Sequence, residues 1–249
     1  MAEFAAPERA DTGSGWPTAE PARARGAPRD LSLRLLRWLT WGTAGTVVFP
    51  LVYVVEGLTR PDYDSLRQAI SALSLGPGGW VQRLDFAICG VGVLWSALVW
   101  RRILAGGVCA TWYPIVRAVE GFGLVAIAFF SQDAAYGYPP GAPSGATPPT
   151  PAGLVHLVGT IVIVNAMCIG LLIIARRFWK APGWRGWATY SIASAVATMV
   201  LMGFFGVAQN THTALTGYAG LFERLATSSD TLWSVVLVAW LWVRRPMGR

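Results

Sequence analysis

Six stretches of the chain, residues 36–57, 84–103, 115–131, 153–175, 187–208 and 225–243, are long and apolar with few charges. A bilayer hydrocarbon core about 30 Å thick is crossed by roughly 20 residues of helix at 1.5 Å each, and each stretch is close to that length. Hydrocarbon offers no water to satisfy backbone N–H and C=O groups, so runs of this kind fold as helices that bond within themselves. The expected fold class is therefore all-α: a polytopic membrane bundle of six transmembrane helices. The balance of 54% hydrophobic and 13% charged residues agrees, because charged residues approach a quarter of a soluble domain. Pro50 interrupts the first run and is expected to kink it, which a span tolerates where neighbours satisfy the freed carbonyl.

Residues 1–30 are rich in Pro, Ala, Gly and charge without an apolar period, and read as a disordered tail ahead of a six-span domain over 31–249. The tail lacks the short apolar region that precedes a signal-peptide cleavage site, so the first span is expected to be retained. Sixteen of the 20 Lys and Arg fall on the side of the two termini, leaving only Arg60, Arg67, Arg83 and Arg224 opposite. By the positive-inside rule both termini are cytoplasmic. The formal charge of +7 thus reports orientation, and without a basic stripe interleaved with aromatics no nucleic-acid partner is expected. Cys89, Cys109 and Cys168 have neither disulfide-framework nor metal-ligand spacing. No cofactor motif is present, and neither a cofactor nor a metal is expected.

The orientation gathers the polar residues on the far side. RPDYDSLRQAISALSLGPGGW, residues 60–80, lies between the first two spans. Asp64 can cap a helix from Ser65 to about Leu75, with Leu66, Ile70 and Leu73 on one face and Arg67, Ser71 and Ser74 in a second row. The segment is either an interfacial amphipathic connector or a lid whose Arg67 and Ser71 hold a phosphate or carboxylate head group. A second loop, 131–153, is dense in Pro and Gly, with Asp133 near its start, at the end of the third span, and His156 just after it. A carboxylate and an imidazole across one loop suit an orienting pair, an acid/base couple, two metal ligands or a structural hydrogen bond. His212, Glu223 and Asp230 can face the same side, the last two sharing a helix face. No HExxH-like spacing fixes a metal. Glu223 beside Arg224, and Arg117 with Glu120, read as neutralising pairs.

The blocks DYDSLRQAISALSLGPGGWVQRLDF, DAAYGYPPG, GLVHLVG and GLFERL together make the chain resemble a prokaryotic family of six-span membrane proteins catalogued as domain of unknown function 998. Members of that family carry Asp-Pro after the third span and a second histidine shortly before the one matching His156. Here Ala134 follows Asp133 and Ala152 stands at the second position, which weighs against a paired-histidine metal site. The resemblance implies architecture and a bacterial cytoplasmic membrane, with no reaction attached. Three functions fit the residues. The first is an enzyme acting on a membrane lipid or isoprenoid, with Asp133 and His156 as acid and base and Arg67, Ser71, Ser74, His212, Glu223 and Asp230 binding substrate. Cation chemistry such as isoprenoid cyclisation is a variant of it. The second is a lipid or small-molecule binding or transport protein, and the third an accessory subunit.

Overall fold

The computed structural model describes residues 32–107, 109–209 and 213–244; the tail 1–30 and His212 lie outside the described residues. Six helices account for most of it: α1 (Leu33–Thr59), α2 (Gly79–Ile103), α3 (Trp112–Phe129), α4 (Pro151–Lys180), α5 (Arg185–Ala208) and α6 (Ala219–Val243). All six are long and apolar enough to cross a membrane, and no strand occurs among the described residues. The chain is a multi-pass helical membrane protein. Helices α2 and α6 start well before the apolar runs that mark them, because their first turns carry Gln82, Arg83 and Asp85 or Glu223 and Arg224, which hydropathy alone does not read as helix. Helix α1 runs through Pro50 without a break.

Each helix packs on its neighbours in sequence, and α6 closes back on α1, so the bundle is a ring. Tyr53 Oη and Ser228 Oγ, 3.2 Å apart, join α1 to α6 at one level, and Trp242 Nε1 donates to Thr40 Oγ1 at 2.9 Å at another. We call the end holding the start of α1 and the finish of α6 proximal, and the opposite end distal. Close approach of α1 and α2 depends on glycine: a Cβ on Gly92 would stand 2.8 Å from the Gly42 carbonyl oxygen.

The surface is apolar and the polar groups are inside. Leu58, Phe122 and Phe129 are 66–81% exposed, whereas Asp85, Arg117, Glu120, His156 and Asp230 are all at most 4% exposed. Water would not tolerate so extended an apolar exterior, but lipid does. In the proximal half, Leu36, Trp100, Tyr113, Phe178, Trp184 and Trp233 pack into a dense aromatic core. The distal half holds a second core around Phe49, Phe86, Ile127, Ile163 and Met167.

The segment between α1 and α2 departs from the expected amphipathic helix. Asp64 caps only one turn, accepting from Leu66 N at 2.9 Å. At Ala69 the backbone becomes extended, and a 3-10 helix, Ile70–Ser74, follows with every residue buried against α1, α2 and α6. The cause is α6. The carbonyls of Ser65, Leu66, Arg67 and Gln68 accept from Arg224, Leu221 N, Gly220 N and Arg224 respectively, so they turn away from a helical ladder. Gly220 is required there, since a Cβ would overlap the Gln68 and Ser65 carbonyls. The segment is thus a plug wedged into the distal mouth of the ring, and Arg67, Ser71 and Ser74 do not share one face.

Candidate functional site

The plug leaves a vestibule of about 380 Å³ beside it, lined by Arg67, Ser71, Asp133, His156, Gln209 and Glu223 among others. Below lies a smaller, mainly apolar chamber of about 80 Å³, walled by Phe49, Phe86, Ile127, Ile163 and Met167. Ser71, Thr160 and Glu223 line both spaces and form the neck between them. Glu120 and Asp230 line the chamber, near the midpoints of α3 and α6.

His156 sits in the first turns of α4, buried, its ring edge towards Phe86. Its Nδ1 lies 2.7 Å from the Phe130 carbonyl oxygen. A carbonyl only accepts, so Nδ1 carries the proton and Nε2 of the neutral ring holds a lone pair. That Nε2 is buried and has no partner among the described residues. Buried polar atoms are almost always paired, so an orphaned ring nitrogen on a residue that lines a cavity is a candidate contact for a ligand or water. Thr160, one turn further along α4, donates to the His156 carbonyl at 3.0 Å.

Asp133 has a different occupation. Its carboxylate accepts from Thr150 Oγ1 at 2.6 Å and Thr150 N at 3.0 Å, while Thr150 in turn caps α4 through Gly153 N at 3.1 Å. Asp133 therefore pins the loop 131–150 to the start of α4, and it does not hydrogen-bond His156. Arg67 is exposed at the vestibule and pairs with no carboxylate among the described residues. Ser71 lies in the neck. Ser74, in contrast, donates to the Ser71 carbonyl at 2.7 Å and lines neither space. His212 lies outside the described residues.

Glu223 accepts from Ile70 N at 2.6 Å and so ties the plug to α6 at the neck. It is not the ion-pair partner of Arg224, whose guanidinium donates to Ser65 O at 2.7 Å, Gln68 O at 3.1 Å and Tyr63 Oη at 2.6 Å. Burial pushes the Tyr63 phenol above its ordinary range despite the opposing pull of Arg224. Tyr63 consequently stays protonated and donates to the Ala69 carbonyl at 2.8 Å while accepting from Arg224. Asp230 is deeper than the vestibule. It joins Arg117 and Glu120, which the sequence had paired alone: Arg117 Nη1 donates to Glu120 Oε2 at 2.8 Å and to Asp230 Oδ2 at 3.2 Å.

Sequence reasoning assigned no site role to Thr160 or to the polar patch of Glu56, Gln82 and Asp85 between α1 and α2. Each of those three buries one oxygen that lacks a partner among the described residues. Ionisable residues inside apolar runs were the available signal, since lipid tolerates them only in the bundle interior. No group of three His, Cys, Asp or Glu side chains among the described residues is arranged to hold a metal ion.

A family model described as "Protein of unknown function (DUF998)" matches residues 43–240. No curated protein and no solved structure matches the chain.

Proposed function

We propose that this chain, which belongs to the DUF998 family, binds an amphipathic lipid or isoprenoid molecule at its distal end and exchanges a proton with the head group through His156. The observation that carries the reading is the buried, unpartnered Nε2 of His156, a residue lining a vestibule whose neck leads into an apolar chamber. An amphipathic molecule matches that sequence of surfaces. Its polar head meets Arg67, Ser71 and His156, and its apolar end enters between Phe49, Phe86 and Ile163. Arg67 brings an uncommitted guanidinium suited to a phosphate or carboxylate head. His156, its tautomer set by the Phe130 carbonyl, accepts a proton at Nε2 and can return it. In this reading Asp133 is a positioning residue that holds the vestibule loop. The charge distribution makes the distal end extracytoplasmic, so the ligand comes from the outer leaflet.

Binding and passage without chemistry is a second reading, favoured by the depth of the chamber, which reaches Glu120 and Asp230. Mass spectrometry of the purified protein tests both. The wild type is expected to retain a lipid enriched over the bulk membrane, and Arg67→Ala to lose it. Incubating that lipid with wild type and with His156→Ala then asks whether a product forms and whether His156 is needed. No enriched lipid in the wild type, or equal retention by Arg67→Ala, refutes the binding site. An unchanged lipid in the wild-type incubation leaves binding or passage and removes acid/base turnover by His156.

A further inference from the structure

The blind end of the chamber carries a charge imbalance that the lipid reading does not use. Arg117 and Glu120 are one turn apart on α3, and Asp230 reaches them from α6. All three are at most 4% exposed; Glu120 and Asp230 lie near the middle of their helices and Arg117 one turn nearer the start of α3. One guanidinium faces two carboxylates. Among the described residues the other groups around them supply no second cation: Thr46 comes from α1, Cys89 from α2, Tyr113 from α3, Cys168 from α4, and Glu223 from α6 two turns above. Arg224 is engaged with the plug carbonyls. An uncompensated charge in so dry a place is costly, and such a group takes up a counter-charge or neutralises.

We infer that the Arg117–Glu120–Asp230 triad holds one proton, taken up from the distal side through the chamber, and is an intramembrane proton-binding site. The path is built from the same neck. Glu223 lines both the vestibule and the chamber, and its position seven residues before Asp230 sets it about 10 Å higher on the same helix face. Thr227, between them, and Thr231, just past Asp230, also line the chamber. Below the triad the route closes. A void of about 10 Å³, lined by Arg117, Thr43, Ser96 and Ser234, abuts Trp100 and Trp233 of the proximal core. That void has room for about one water, and Arg117 Nε is a buried donor without a partner among the described residues. A proton fits better than a metal ion. Arg117 already occupies the space between the two carboxylates, and no third acidic or imidazole side chain converges on them among the described residues.

The test reads the proton itself, on the full chain reconstituted in a lipid film, by infrared spectroscopy of the protonated-carboxyl C=O stretch at neutral pH. The wild type is expected to show such a band, and Glu120→Gln and Asp230→Asn each to lose its intensity, because either change leaves Arg117 one carboxylate to match. Other buried carboxyls contribute to both spectra and cancel in the wild-type-minus-variant difference. The band is expected to shift on exchange into D2O in the folded protein, reflecting access through the chamber. Equal band intensity in the wild type and both variants overturns the proposal, as does a band that resists exchange. Loss of the band on replacing choline by sodium in the medium overturns it in favour of a metal cation. Glu120→Gln imitates the protonated carboxyl and is expected to insert and fold, so its failure to do so also overturns the proposal. The comparison of band intensity between wild type and variants does not depend on whether the vestibule takes a lipid.

Discussion

Replacing Arg224 by alanine should release the plug. Its guanidinium makes three hydrogen bonds to the segment 63–68: to Ser65 O at 2.7 Å, Gln68 O at 3.1 Å and Tyr63 Oη at 2.6 Å. Hydrogen bonds to a charged group contribute about 1.5–3 kcal/mol each when desolvated. Arg224 is only half-buried, so about 1 kcal/mol apiece is a fair figure, or about 3 kcal/mol for the three. At 1.36 kcal/mol per tenfold, that raises the open population of the segment ~100-fold. Native-state hydrogen exchange measures this directly, because protected amides exchange through local opening. Peptides covering 63–75, which include the amides of Gln68, Ile70 and Ala72, should exchange ~100-fold faster in Arg224→Ala, and peptides from α3 and α4 should not change. Arg224→Lys keeps the charge but lacks the planar fork, so it should fall between. If a correctly inserted Arg224→Ala exchanges at the wild-type rate over 63–75, the argument fails. The Leu221–Leu66, Gly220–Arg67 and Ile70–Glu223 bonds would then hold the plug alone.

Asp133→Ala removes both hydrogen bonds to Thr150 and should cost about 1 kcal/mol, the scale of a lost cap. Limited proteolysis should then cut within 131–150 faster than in the wild type, and equal cleavage would contradict the pinning role. Orientation is open to a chemical check. Arg67→Cys in intact cells should react with a membrane-impermeant maleimide added outside, and labelling only after permeabilisation would reverse the assignment of the distal end.

Periodicity and composition made the helices legible because hydrocarbon leaves a long apolar run one way to satisfy its backbone. The same reasoning picked out Arg67, Ser71, Asp133, His156 and Glu223, which line one vestibule. It failed at residues 65–75, where local pattern favoured a helix. There the Arg224 guanidinium and the amides of Gly220 and Leu221 draw the carbonyls away, and those groups are more than 140 residues distant along the chain. It failed also in pairing Glu223 with Arg224, because neighbours in sequence point to different sides of a helix.

By itself, then, the sequence determined that the chain crosses a membrane, how many helices it uses and which polar residues are held near one end. These follow from the solvent preference of each segment, a property that needs no knowledge of its neighbours. Only the tertiary structure decided which partners those polar residues take. Asp133 is taken by Thr150, while His156, which lines the vestibule, keeps a buried ring nitrogen without a partner among the described residues. Asp230 joins Arg117 and Glu120 at the base of the chamber, though α3 and α6 are not neighbours in the chain. Those roles are pairings between side chains on different helices, and closing the ring is what chooses the partners.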